Sequence, residues 1–279
     1  MTQAPPMTDR AALLRNRARA AGMTAPASFL HELAIDEIKE RLETVNRTFT
    51  APAVVTGNPR LWQRAFPSAR VVADEDTLGL IHGAHDLVIH AMALHWANDP
   101  VGQIVQCRRA LQPDGLFIAL MFGGQTLFEL RAALAQAESE LTGGLSPRIL
   151  PMGEIRDLGA LLQRGGLALP VADNLTQTVL YRDVLHLMAD LRAMGEGNAL
   201  SARLRHPTRR SVLQHAAEIY AATHATDGRI PATFEIICLT GWAPHDSQQQ
   251  PLRPGSAQTR LAQALNTAEL PLTKGPHRG

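Results

Sequence analysis

Three short stretches of this chain carry side chains that could do chemistry. Ala93-Leu94-His95-Trp96-Ala97-Asn98-Asp99 puts an imidazole, an indole, an amide and a carboxylate close together with no apolar period. An imidazole in such a segment can move a proton, and His95 is the one candidate general base. Asp74-Glu75-Asp76 closes a short apolar run, Arg70 to Ala73. Carboxylates at a strand end can accept hydrogen bonds from ribose hydroxyls or an adenine amine, or simply solvate a loop. Thr56-Gly57-Asn58-Pro59 follows the apolar Ala53-Val54-Val55. A glycine there lets a ligand approach the backbone, but a lone glycine before a proline that lacks an N–H is a weak nucleotide fingerprint. For the first stretch a plainer reading stands beside the chemical one: Trp96 plugs the end of a sheet and His95 is a satisfied surface residue.

The elements that must position these groups centre on His85 to Gly124. Leu87 to Ala93 and Leu116 to Phe122 are continuous apolar runs; between them Val101, Ile104, Val105 and Leu111 recur at helix spacing, followed by a Pro113-Asp114-Gly115 turn. Two apolar strands around one helix make a βαβ unit whose strands are covered on both faces. Ligands sit outside the carboxyl ends of such strands, which makes 93–99 a site loop. Only one crossover helix fits between Val55 and Val71, through Leu61, Trp62 and Phe66, so the sheet is short by one βα unit. The fold expected is α/β, a doubly wound, mostly parallel sheet.

Outside this core, Asp9 to Arg19 reads as a basic helix with a solvated face, the alternative being contact with an acidic partner or lipid surface. Ser28 is a candidate N-cap for a helix running to Asn46, with Ile35, Ile38, Leu42 and Val45 against the sheet. Helices follow at Thr126 to Leu141 and Ile155 to Gln163, then a strand or two from Ala168 to Tyr181 around Asp173-Asn174. A helical insert comes next, with Met188 and Met194 on one face, read as core rather than pocket, and the last strand is Thr233 to Trp242. Helices inserted between the last strands would lie over the carboxyl edge as a lid. Arg203, Arg205, His206, Arg209 and Arg210 form the one dense basic cluster, read as a solvated loop or as a landing site for an acidic protein or carrier-protein partner.

The division expected is 1–50 N-terminal helices, 51–181 core, 182–230 lid, 231–257 last strand and C-terminal motif, and 258–279 a tail with little reason to be ordered. Lys plus Arg number 27 against 26 Asp plus Glu, a net charge of +1, so no global field draws nucleic acid or membrane. The two cysteines, Cys107 and Cys238, lie in apolar segments without metal-ligand spacing, which points to buried thiols in a reducing, cytoplasmic compartment. No metal site, membrane span or signal peptide is legible.

Several runs resemble one family. They are Val-Val-Ala-Asp-Glu-Asp at 71–76, Ala-Leu-His-Trp-x-Asn-Asp at 93–99, Arg-Arg-Ala-Leu-x-Pro-Asp-Gly-Leu-Phe at 108–117 and Gly-Gly-x-Thr-Leu-x-Glu-Leu-Arg at 123–131. Asp-Leu-Gly-Ala-Leu-Leu-Gln-Arg at 157–164, Pro-Ala-Thr-Phe-Glu-Ile with Gly-Trp-Ala-Pro-His at 231–245, and the block from Ser247 to Ala257 complete the set. The chain resembles the class I S-adenosylmethionine (SAM) dependent methyltransferase-like family that includes the complex I assembly factor 5 proteins, and more distantly the malonyl-acyl-carrier-protein O-methyltransferases.

That resemblance implies a seven-stranded fold with SAM over the carboxyl edge. It implies cofactor contacts from Thr56, Gly57, Asp74, Glu75, His95 and Trp96, and a substrate side formed by Trp96, Arg131 and Trp242. It also implies methyl transfer to a small acid, carrier-bound acyl group or protein, or, as in the assembly factors, hydroxylation of a protein arginine; a partner-binding paralogue without cofactor is the third expectation. The family's Asp-Leu-Gly-x-Gly-x-Gly is here Val-Val-Thr-Gly-Asn-Pro, and the strand whose acid grips the ribose is missing. Two lost charge-assisted hydrogen bonds at about 1.5 to 3 kcal/mol each weaken SAM binding by about a hundredfold or more. A strand at 70–73 moved beside the first could let Asp74 or Glu75 serve as the ribose acid.

Overall fold

The structure, a computed structural model, describes residues 5–248. The chain begins with α1 (Arg10–Ala21), whose N-cap Asp9 accepts from the Ala12 N–H at 3.0 Å. Next comes α2 (Phe29–Thr44), which buries Leu30, Ala34, Ile35 and Ile38. Ser28 holds the N-cap position of α2, but its hydroxyl donates to Glu32 at 2.6 Å instead of capping a backbone N–H.

A parallel block follows: β1 (Pro52–Thr56), α3 (Pro59–Ala65), β2 (Arg70–Val72), β3 (His85–Ala91), a 3-10 turn at Leu94–Trp96, α4 (Pro100–Ala110) and β4 (Leu111–Phe122). Helices α5 (Phe128–Thr142) and α6 (Ile155–Arg164) lead to β5 (Ala168–Tyr181). Then α7 (Val184–Met194) and α8 (Arg210–His224) precede β6 (Ile230–Trp242). The six strands lie in the order β2-β1-β3-β4-β6-β5, with β6 antiparallel to both its neighbours.

Period-two alternation sorts the side chains of the central strands between two layers. Val54, Ile89 and Ile118 face α2, α5 and the α7–α8 pair. Ala53, Val55, Val88 and Phe117 face α4 and α6 through Ile104, Cys107, Leu158 and Leu162. With both faces covered, β1 and β3 are buried along their whole length, which is why they read as unbroken apolar runs.

The structure revises several expectations. Leu111 ends the helix rather than continuing its face, and Pro113-Asp114-Gly115 lies within β4, where the pairing with β3 jumps from His85–Leu111 to Leu87–Leu116. The turn residues make a bulge, with Asp114 at φ +60°, instead of an entry loop. Asp173-Asn174 does not break β5, because both residues stay paired with β6 and Asp173 is held by Arg41 of α2. The described sheet has six strands, not the seven implied by the resemblance. The strand at 70–72 stands beside β1, in register Ala53–Arg70 to Val55–Val72. The stretch from Gln249 to Ala257 and the tail at 258–279 lie outside the described residues. No described helix is long and apolar enough to cross a membrane.

Candidate functional site

The chain turns outward from β1 to β2 on one side and to β3 on the other, so the carboxyl ends of β1 and β3 form the topological switch point of the sheet. Two cavities open there. One of about 590 Å3 lies between the end of β1, α2, α3 and the end of α7, lined by residues that include Arg17, His31, Gly57, Asn58, Met92 and Glu196. The other, of about 460 Å3, lies under α7 and the loop before α8, lined by residues that include His95, Trp96, Phe122, Arg148, Met188, Glu196 and Phe234. Glu196 belongs to both.

The first cavity contains a group the sequence placed in solvent. Arg17 donates from Nη1 to both carboxylate oxygens of Asp74, at 2.7 and 2.9 Å. Arg10 donates to Oδ2 of the same residue at 3.3 Å and to its carbonyl at 2.7 Å. Asp74 is buried; burial raises its carboxyl pKa, but the adjoining charges of Arg17 and Arg10 outweigh this and hold it below the ordinary value. The Arg17 guanidinium also fills the space above Gly57, so closely that a methyl group on Gly57 would overlap it. The helix read as a solvated basic face is thus inserted into the cleft. Gly195 allows this, because a Cβ there would stand 3.2 Å from the Arg17 Cα.

Helix α1 also straps core to lid. The Asn98 amide accepts from Thr8 N at 2.8 Å, and Asp9 N donates to Ala199 O at 2.7 Å. Asn16 donates to Gly197 O at 2.9 Å, while Arg203 and Arg205 both reach Asp9 at 3.0 Å. Two of the four arginines assigned to an acidic partner are therefore engaged within the chain. Arg209 and Arg210 are exposed at the start of α8.

His95 and Trp96 come together on Glu196, whose Oε2 accepts the indole N–H at 2.7 Å and lies 3.4 Å from His95 Nε2. Phe122 N donates to His95 Nδ1 at 3.4 Å, so both ring nitrogens face partners in the chain and no lone pair is free for the cavity. Burial pushes the Glu196 carboxyl up, but the hydrogen bond from His95, the charge of Arg17 and the Trp96 N–H pull it lower than usual. The segment from Ala93 to Ala97 is a buried 3-10 turn rather than an open loop.

The other expected site residues separate. Thr56 Oγ1 accepts from Asn58 N at 3.1 Å, Glu75 points to solvent, and Arg131 donates to Thr126 O at 3.2 Å outside both cavities. Trp242 pairs with Leu116 at the amino end of the parallel strands, across the sheet from the site, beside Arg47. Sequence reasoning missed Arg17, Arg10 and Glu196. The one signal available for Glu196 was an acid set between two glycines just after the lid's first helix.

A family model described as "Methyltransferase domain" matches residues 26–119. The chain is 40% identical over 205 residues to the mitochondrial arginine-hydroxylase NDUFAF5 of Danio rerio, which spans 73% of this chain and 64% of that one. It is 38% identical over 215 residues to the Homo sapiens protein of the same name, spanning 77% and 62%. A malonyl-[acyl-carrier protein] O-methyltransferase of Laribacter hongkongensis is 33% identical over 196 residues, 70% of this chain and 63% of that one. The chain thus spans just under two thirds of the length of these curated relatives. With its switch-point cleft and antiparallel β6, it has the class I methyltransferase-like fold, and residues 26–119 match the methyltransferase domain.

Proposed function

We propose that this methyltransferase-like chain works without SAM, by binding a partner protein. The observation that carries this reading is the Arg17 guanidinium seated between Gly57 and Asp74, where the fold would bring a cofactor's ribose and backbone-facing groups. The residues do not fit SAM as arranged. The carboxylate that would accept ribose hydroxyls already takes three hydrogen bonds from Arg17 and Arg10. The N–H of Asn58 is spent on Thr56, and Pro59 has none to offer. A sulfonium would also have to sit beside Arg17, a like charge. We derive no methyl transfer from this geometry.

The partner surface we assign is the start of α8, where exposed Arg209 and Arg210 make no ion pair among the described residues, whereas Arg203 and Arg205 are held by Asp9. An acidic protein or carrier-protein face fits it by charge. A cytoplasmic location, in keeping with two free buried thiols, belongs to the same reading.

A second reading is SAM-dependent methyl transfer with α1 displaced, His95 and Trp96 then lining the adjoining acceptor cavity beside Glu196. The paired cavities sharing Glu196 favour it, since a cofactor cavity and an acceptor cavity must meet at the transferred group. The test is the melting temperature of the intact chain with millimolar SAM and S-adenosylhomocysteine. A ligand at a hundred times its Kd adds about 2.7 kcal/mol. An unchanged transition supports the partner-binding reading, and a clear rise establishes the second.

A further inference from the structure

The larger cavity holds two cations that nothing in the fold uses. Arg60 and Arg64 stand one turn apart on α3, both line the cavity, and neither makes a hydrogen bond or ion pair among the described residues. Like charges at this spacing destabilise a helix, so an unneutralised pair facing a cavity is suited to an external anion. The two carboxylates on the same wall are engaged elsewhere: Glu32 takes the Ser28 hydroxyl at 2.6 Å, and Glu196 takes the Trp96 indole.

A third group points to the same chemistry. His31 is 9% exposed and lines the cavity. Trp62 Nε1 lies 3.1 Å from His31 Nδ1, and an indole N–H can only donate, so Nδ1 is the acceptor and the proton of the neutral ring is on Nε2. Burial pushes the imidazole pKa down to about 4, which keeps the ring neutral at working pH. The Nε2–H has no acceptor among the described residues.

We infer that this cleft binds a small phosphorylated molecule, its phosphoryl oxygens held by the Arg60 and Arg64 guanidinium groups and the His31 Nε2–H. Guanidinium forks match phosphoryl oxygens in geometry and charge. At about 590 Å3, with Leu61, Met92 and Met194 on its walls, the cavity has room for an apolar body beyond the phosphate. The inference rests on the SAM-free reading only in that both ligands would claim one cleft.

The test is a calorimetric titration of the full chain with phenyl phosphate and with inorganic phosphate, ionic strength held constant with sodium chloride, and SAM run in parallel. Three proteins are compared: wild type, Arg60→Gln/Arg64→Gln, and Arg15→Gln/Arg19→Gln, which removes two exposed arginines outside the cleft. Saturable binding of phenyl phosphate, weakened at least about tenfold by the first double substitution and unchanged by the second, supports the proposal. Inorganic phosphate binding equally well would assign the site to free phosphate, and weaker binding to a monoester. A shift of the His31 Nε2 proton resonance on titration is the second readout. No saturation at millimolar ligand in a folded wild type, or equal loss in both variants, overturns it. Absence of both phosphate and SAM binding overturns this inference alone, whereas SAM binding overturns the SAM-free reading whatever phosphate does.

Discussion

Asp74→Asn removes the charge that holds Arg10 and Arg17 in the cleft while preserving the shape of the side chain. Removing one partner of a buried ion pair costs about 3 to 5 kcal/mol, because the remaining charge is left uncompensated. Here Asp74 is 4% exposed, but Arg17 and Arg10 are 12% and 19% exposed, and Arg10 keeps its bond to the Asp74 carbonyl. The lower end, about 3 kcal/mol, is therefore expected, or a fall of about 6 to 12 °C in Tm for a domain of this size. The pH dependence identifies the cause. The Asp74 pKa is depressed in the folded state, so its contribution is fully present above the ordinary value of 3.8 and is lost as pH falls through the lower folded value. Scanning fluorimetry on both proteins should show a constant gap from neutral pH to about pH 5 that closes only below the ordinary carboxylate range. Arg17→Gln should share most of the loss, the double substitution costing less than the sum. A gap under about 2 °C at neutral pH, or one that persists unchanged in strong acid, would refute the insertion of α1.

Other expectations follow from the same contacts. His31 and His90 are both held neutral by burial, with pKa values near 4, so between 6.5 and 4 the unfolded chain binds about two more protons than the folded one. Stability should decrease as pH is lowered from 6.5 to 4, and His90→Gln should flatten the slope measured by urea midpoints. His215 shows the opposite sign. Hydrogen bonds donated by its ring to the Glu140 and Glu218 carboxylates raise its pKa, so the tie between α5 and α8 holds below 6.5 and is lost as pH rises through the raised value. Hydrogen exchange in α8 should quicken there in wild type but not in His215→Gln. Trp62→Phe leaves His31 Nδ1 buried without a donor and should cost about 1 to 3 kcal/mol in a urea titration.

Legibility followed how local each signal was. β1, β3 and β4 were readable because strands covered on both faces must be apolar throughout, and α2 because its stripe faces only one layer. The loss of one βα unit followed from chain length, since a seven-residue α3 leaves no room for another, but the place of the strand at 70–72 beside β1 was only one arrangement the sequence allowed. Pro113-Asp114-Gly115 was misread as an entry loop because turn residues mark a bulge inside a strand as readily as a turn before one.

The site was less legible, and for one reason: its key contacts join residues far apart in sequence. Arg17 meets Asp74 and Gly57, and Glu196 meets Trp96, across separations that periodicity cannot register. The arginines of α1 lie among other arginines on a helix with few acids, so pattern alone assigns them to solvent. His95 and Trp96 come together at the cavity, but their nitrogens turn to Glu196 and Phe122 N rather than to open space.

Helix α1 lies in the cleft at the carboxyl end of β1. Spin labels at Arg15→Cys on α1 and Gln63→Cys on α3, both exposed and neither lining the cleft, report the separation of the two helices directly by double electron–electron resonance. A single narrow distance, unchanged by millimolar SAM, is the predicted result. A second, longer population, or a shift on adding SAM, would contradict it and restore the cleft to the cofactor.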